Sequence, residues 1–583
     1  MDADSLSRVT PKVDLENGPA AGNAQANGEL PSNVDSEEQL LSVPGEYLSG
    51  DPFRPLLSRD EDGNEYKHVL RPMLFSVVFI LLVELLERLS YYGVVFTQMS
   101  YLTGKYDATW SANMTTVQAS QFVGSSVAIT YSMPFLGAIL ADTFFGNYAT
   151  ILLFSIAAYL PGLLLLALTA VPYLLGETFN MGALTASLLV LYPMGAGAIK
   201  ACVNVMGAQQ YHPVLQKSMI EAFYVNFYLC INIGALIGGM VVPVVVQSSV
   251  VAGYLIPTSC FALAILLFIA GTSRYVRMKP QGKNNLAVLA ISGKAVCCLR
   301  GLDTQKSSRG GRYPDVIVQS IKQLAAVVPV TLLVVPFNIV YSQMVNTFVA
   351  QGQVMQNAGF VDAAWMQNFD AFAVIACGAF TSALLYPWLA KRNSSLHIST
   401  KFVIGTSLAC VALICAIVVD LMIISEYNKS GQAISVLWQA PAFFFIGAGE
   451  IFAISSAYEA AFLIAPKNLK ALSSATNIFL IGGLPQFIST AILSACTQLA
   501  FTNAQGSENI DTLASYSTAH VYLYFVVLLA IAALGVIINA LPITRRFLTR
   551  TLAAAEEANL SLPTAFQVEA EPSVAIAEEV TAM

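Results

Sequence analysis

Long apolar runs separated by short polar interruptions fill this chain from about residue 71 to residue 545. An α-helix rises 1.5 Å per residue, so about 20 apolar residues cross the hydrocarbon core of a bilayer. Runs of that length fall near 71–98, 116–140, 149–173, 181–207, 219–246 and 251–273. Six more fall near 319–349, 365–390, 399–423, 434–463, 470–500 and 517–545. The pattern predicts an all-α membrane protein with twelve transmembrane helices in two six-helix bundles, at 67–273 and 319–547, joined by a polar linker at 274–318. Residues 1–66 are rich in Asp, Glu, Asn, Ser, Gly and Pro and predict a disordered cytosolic tail, and 548–583 a second cytosolic tail rich in Ala and Glu. With no apolar run before residue 67, the first span is expected to act as the insertion signal.

Composition agrees: 56% of the 583 residues are hydrophobic and 11% are charged, against roughly 25% charged in soluble domains. The net charge of -7 says little about partners, because the acids gather in the tails. With both termini inside, the inner segments hold twenty Lys and Arg and the outer loops only Lys105 and Lys429, which sets the orientation. Asn113-Met-Thr115 and Asn428-Lys-Ser430 then face outward as glycosylation tripeptides. The nine cysteines lie in apolar runs or the inner linker and form no disulfide framework or zinc spacing. Twelve spans with a long basic loop after the sixth match the major facilitator arrangement, with a central cavity between two halves.

Ionisable residues within the spans are few. Glu84, Glu87, Arg88, Tyr91 and Tyr92 fall at i, i+3, i+4, i+7 and i+8 and share one helical face of the first span. Each charge at mid-membrane costs at least about 2.5–3.5 kcal/mol, so this stripe reads as the wall of an aqueous pathway; the alternative is a structural intrahelical pair of Glu84 with Arg88. Lys200, in the small-residue run Gly195-Ala-Gly197-Ala-Ile-Lys200 of the fourth span, needs a counter-charge. Glu450, in Gly447-Ala-Gly449-Glu450 of the tenth, can supply it from the opposite half as a gate that forms and breaks with the cavity, or as a fixed salt bridge. Asn232 and Tyr131 add neutral hydrogen-bonding groups, and Pro329, Pro336 and Pro441 are candidate hinges. No phosphate loop, His-Glu-x-x-His or Cys-x-x-Cys occurs, and the chain has only four histidines. Enzyme and metal chemistry therefore find no constellation. Energy is expected from an ion gradient, about 2.3 kcal/mol per charge per 100 mV, and buried Glu and Lys suit protons better than sodium.

These residues resemble the proton-dependent oligopeptide transporter family, with wording closest to its fungal branch. Glu84-Leu-Leu-Glu87-Arg88-Leu-Ser-Tyr91-Tyr92-Gly93 resembles its ExxER motif. Gly137-Ala-Ile-Leu-Ala-Asp142-Thr-Phe-Phe-Gly146 and Phe223-Tyr-Val-Asn-Phe227 through Gly234 resemble its two signatures. Arg274-Tyr-Val-Arg277, Tyr341-Ser342-Gln343-Met-Val-Asn346, Glu450-Ile-Phe and Ala465-Pro-Lys467 follow in the family's order, covering about 67–547.

The resemblance implies a proton-coupled symporter of di- and tripeptides working by alternating access in the plasma membrane as a monomer, with no cofactor and no nucleic-acid partner. It implies that Arg88 and Lys200 hold the peptide carboxylate, and that Tyr91, Tyr92 and Tyr131 line the pocket. Asn232, Asn346 and Glu450 would receive the peptide backbone and amino terminus. Glu84 and Glu87, beside Arg88 and Lys200, would carry the proton. Departures from the pattern are Ser342 for an acid and Val95 for its basic partner, Gln209 for an aspartate, and Asn147 and Ala149 for basic residues. Asp370 stands for an asparagine and Asn477 for a tryptophan, both at pocket positions. Related alternatives are a transporter of nitrate or an amino-acid conjugate, or a peptide sensor that does not transport.

Overall fold

The computed structural model describes residues 48–60, 63–280, 302–311, 313–392, 396–466 and 470–561. The expectations for residues 1–47, for the centre of the linker, for Lys467 and for the last part of the C-terminal tail lie outside these residues.

Among the described residues, nine helices are long and apolar enough to cross a membrane, and a bent pair, Ile317–Leu332 with Val335–Gly352, makes a tenth. Two physical details raise the number to the expected twelve. The 54-residue run Thr116–Thr169 breaks at Gly146, whose φ of +75° and ψ of 164° leave the helical region, so it crosses twice. The first span, Val78–Leu102, is also helical but carries Glu84, Glu87 and Arg88, too many charges for a hydropathy test. The 56° bend of the seventh span falls between Pro329 and Pro336, as a prolyl hinge requires. Pro441 is no hinge: it occupies the first turn of the tenth span, Ala440–Ile464, where its missing N–H costs nothing.

Each half has its own apolar core, one built mainly from residues of the first six spans and one mainly from the last six, with Val117, Val349 and Ala350 reaching across. Small residues set the close helix contacts. A Cβ on Gly137 would sit 2.0 Å from the Ala198 carbonyl oxygen, and one on Gly195 would sit 2.3 Å from the Tyr159 Cβ.

At the outer end the halves are tied together by hydrogen bonds, most of them between neutral groups. Gln353 Nε2 donates to Ser100 Oγ at 3.2 Å, and Thr103 Oγ1 donates to Gln353 Oε1 at 3.2 Å. Gln367 Nε2 donates to the Phe96 carbonyl at 3.0 Å, and Asn368 Nδ2 to the Gly239 carbonyl at 2.7 Å. Thr116 Oγ1 and Lys105 Nζ reach Asp511, at its carboxylate (2.7 Å) and its carbonyl (3.0 Å). At the inner ends of the fifth span (Lys217–Ser248) and the tenth, by contrast, Tyr224, Tyr228, Tyr458 and Phe462 are exposed. These rings are exposed at the end opposite those ties, where Phe135 of the second span still meets Phe479 of the eleventh with ring centroids 5.9 Å apart.

Both tails contain structure that the sequence reading missed. Residues 48–66 are not wholly disordered, because β1 (Leu56–Arg59) pairs antiparallel with β2 (Glu65–His68). This hairpin is fastened under the first half. His212 Nε2 bonds the Leu57 carbonyl at 3.0 Å, His68 Nδ1 lies 3.3 Å from the Gln210 carbonyl, and Arg54 Nη2 donates to the carbonyls of Ser273 and Arg274. After the twelfth span, Val521–Ala540, a further helix, Pro542–Ser561, covers much of what the sequence suggests is tail. Leu548 and Ala555 on it are buried against the second half.

Candidate functional site

On the first span, Glu84 and Arg88 pair at 3.0 Å one helical turn apart, and Glu87 closes on the other side of the same guanidinium. All three are buried, with Glu87 only 2% exposed. The two carboxylates face a crevice inside the first half, lined by Ile151, Ser155, Ile199 and Phe261 among others. Glu84, Arg88 and Glu87 thus form a buried intrahelical ion-paired triad. Burying these charges is tolerable because each carboxylate has a cation beside it. A π-turn at Ser155–Tyr159 in the third span brings in a group the sequence reading missed, since the Tyr159 hydroxyl donates to Glu87 Oε1 at 3.1 Å. Gly195 makes this approach possible by leaving the Tyr159 backbone room against the fourth span. Tyr192, also missed, donates to the Tyr91 carbonyl at 3.2 Å and stacks on the Tyr91 ring. The available signal was that a phenol inside an apolar span must find a polar partner.

Lys200 does not pair with Glu450 in this conformation. Its ammonium lies 4.0 Å from the Tyr91 ring centroid and 4.3 Å from that of Tyr131, held between two aromatic faces. Arg88, Glu87 and Glu84 of the first span all lie within electrostatic reach of it. Tyr131 packs against Gly482 of the eleventh span, where a Cβ would come within 2.1 Å of the ring, so this part of the site spans the two halves. Tyr92 meets Tyr91 edge-on at 5.2 Å and lies within electrostatic reach of Glu450 and Asp370.

The second half supplies acid. Glu450 has the Tyr341 phenol within hydrogen-bonding reach, and the charge of Asp370 lies close to it. Tyr228 and Tyr458, neither singled out from the sequence, complete the wall toward the inner opening. Tyr458 is within reach of Glu450, Arg88, Tyr131 and Tyr228, and Tyr228 of Glu450 and Asn232. Asn232 lies on this wall, its Nδ2 donating to its own helix at the Tyr228 carbonyl, 2.8 Å away.

Two expected pocket residues lie elsewhere. Asn477 is fully buried between the seventh and eleventh spans, its Oδ1 accepting from Thr331 Oγ1 at 3.0 Å, so it does not line the chamber. Asn346 is buried and bonds the Ser342 carbonyl and Gln486 Oε1, within the second half. Its helix turns at an irregular backbone, φ −118° and ψ −101°, which a sequence pattern does not reveal.

One pair of departures from the family pattern meets in space. Asn147 Nδ2 donates to Gln209 Oε1 at 3.2 Å, so an amide pair stands where two opposite charges are usual. Ser342, in the acid's place, turns back to the Ile339 carbonyl and to Gln343. Replacing both members of a pair strands no charge.

A family model described as the POT family matches residues 148–304 and 299–510. The chain is 26% identical over 528 residues to Peptide transporter PTR_A of Candidozyma auris, covering 82% of this chain and 87% of that protein. It is 27% identical over 513 residues to Protein NRT1/PTR FAMILY 8.3 of Arabidopsis thaliana, covering 75% and 86%. Its fold is similar to that in the in meso crystal structure of the POT family transporter PepTSo, with a TM-score of 0.65 at 20% identity, covering 82% of this chain and 98% of that one.

Proposed function

The chain belongs to the POT family, and from that premise we propose that it is a proton-coupled symporter of di- and tripeptides. One observation carries the reading. Between the halves, the cations Arg88 and Lys200 lie on one side and the acids Glu450 and Asp370 on the other, with phenols between. A short peptide is a zwitterion and fits such a dipolar chamber with its carboxylate toward Lys200 and its ammonium toward Glu450. Arg88 is occupied by Glu84 and Glu87; when a proton neutralises one of these acids, the guanidinium is freed toward the peptide carboxylate. Proton binding and peptide binding then favour one another, which is the linkage a symporter needs. The protein acts as a monomer that imports across the plasma membrane, with both termini in the cytosol. The outer ties opening while the inner ends close would present the same chamber to the outside.

The test uses the purified protein in vesicles. A dipeptide gradient should drive proton movement, and an unlabelled dipeptide should compete with a labelled one. Glu450→Ala should abolish that competition while Glu87→Gln spares counterflow. Absence of any dipeptide-dependent proton flux in the wild type overturns the reading.

A further inference from the structure

Asp370 lies in the first turn of the eighth-span helix Asn368–Phe380 and leans on the tenth span at a glycine. A Cβ on Gly447 would sit 2.7 Å from Asp370 Oδ1 and 2.5 Å from the Asp370 carbonyl oxygen, so only glycine admits the carboxylate there. Gly447 is three residues before Glu450, which puts the two acids on one face of the wall. Asp370 Oδ1 is buried and has no hydrogen-bond partner. Among the described residues neither acid takes part in an ion pair. The protein's own cations are committed on the facing wall, Arg88 to Glu84 and Glu87 and Lys200 to the rings of Tyr91 and Tyr131. The second half thus offers two adjacent carboxylates and no cation to answer them, although one peptide ammonium suffices for one.

We propose that Asp370, paired with Glu450, selects for peptides whose first residue carries a basic side chain. The proposal rests on the peptide-symport reading and specifies the substrate within it. The ammonium and side chain of a first residue branch from the same Cα, so a Lys or Arg there sets two cations side by side, one for each carboxylate. A basic second residue carries its charge one residue on, about 3.8 Å along the backbone, away from the ammonium. A neutral peptide leaves one buried acid unanswered, and an acidic peptide adds repulsion. The phenols of Tyr92 and Tyr341, within reach of both acids, add aromatic faces that suit a cation.

The experiment is competition of Lys-Ala, Ala-Lys, Ala-Ala and Glu-Ala against labelled dipeptide in vesicles, read as ratios within each variant. Lys-Ala should outcompete Ala-Ala by about tenfold in the wild type, with Glu-Ala weakest. In Asp370→Asn the Lys-Ala advantage should shrink to about twofold, and Asp370→Glu should keep it. Fluorescence-detected gel filtration checks that both variants fold. A ranking indifferent to charge in the wild type, or a Lys-Ala advantage that survives in Asp370→Asn, overturns the proposal while leaving peptide symport intact. A shift in the pH dependence of Ala-Ala transport with no change in ranking also overturns it, and marks the pair as a shared proton site. If no dipeptide competes in the wild type, both readings fail together.

Discussion

The Tyr159 hydroxyl on the third span donates to Glu87 on the first, and Gly195 on the fourth makes room for it. This single contact joins three helices of the first half at the carboxylate proposed to carry the proton. Glu87 is therefore held from two sides, by the guanidinium of Arg88 and by a phenol. Neither partner comes from the half that binds the peptide ammonium. On the proposed reading, coupling runs through Arg88, which pairs with both acids and has its guanidinium 5.4 Å from the Tyr91 ring centroid.

Tyr159→Phe removes that donor and keeps the ring. A hydrogen bond to a charged group contributes about 1.5–3 kcal/mol, so proton-driven accumulation should fall roughly tenfold or more. Peptide counterflow, which needs no net proton movement, should change little. Equal losses in both assays would reduce Tyr159 to a packing residue.

Gly195→Ala places a methyl group 2.3–2.5 Å from Tyr159 backbone and Cβ atoms, so the third and fourth spans must separate. Overpacking of this kind costs about 1–3 kcal/mol. The purified variant should show a clearly lowered apparent melting temperature. Gly378→Ala is the control: the nearest atom to its new methyl group is Ile451 Cδ1 at 3.8 Å, and it should be neutral or slightly stabilising. Similar melting points for the two variants would contradict the packing described.

These residues also show what the sequence could and could not tell. The charged stripe from Glu84 to Tyr92 was legible because mid-membrane charge is costly and its 3.6-residue period is plain. Its environment was not, since spacing cannot say whether a face meets water or a neighbouring helix. The two acids are buried and paired with Arg88 on their own helix, and Asn477 is sealed in the second half. Tyr159 and Tyr192 carry no periodic signal, because single phenols look alike in every apolar run. The hairpin at Leu56–His68 escaped because its strands are four residues each, too short for alternation to stand out in a polar segment.

That hairpin should be pH-sensitive. His68 is fully buried between Ser58 Oγ and the Gln210 carbonyl, and burial pushes its imidazole down to about 4. The undocked histidine titrates near 6.5, so between about 6.5 and 4 the undocked state binds more protons. Docking is at full strength above pH 6.5 and weakens as pH falls through that window, by about 3 kcal/mol at most. His212, also lowered by burial, adds to the same sign. Hydrogen exchange corrected for intrinsic rates should show the Leu56–His68 amides less protected at pH 5 than at pH 7.5. In His68→Gln this difference should diminish, and an equal pH dependence in wild type and variant would show that the imidazole is not its source.

The outer closure makes a different demand, since hydrogen bonds of amides, hydroxyls and carbonyls dominate its ties. Gln353 is bonded to Ser100 and Thr103 across the halves, and the Asp511 side chain accepts from both the backbone N–H and the hydroxyl of Thr116. Each such bond contributes about 1 kcal/mol net, and those accepted by the Asp511 carboxylate about 1.5–3 kcal/mol. Removing both groups in Gln353→Leu/Asp511→Ala takes away four bonds and should favour the outward-open state about tenfold or more. Spin labels at positions 108 and 505, in the outer loops of opposite halves and on a cysteine-free background, would read this as a longer-distance population. That population should grow in the double variant. A closed distance distribution unaltered by the double substitution would place the outer lock elsewhere, in the apolar contacts of Val117, Val349 and Ala350 where the two cores touch.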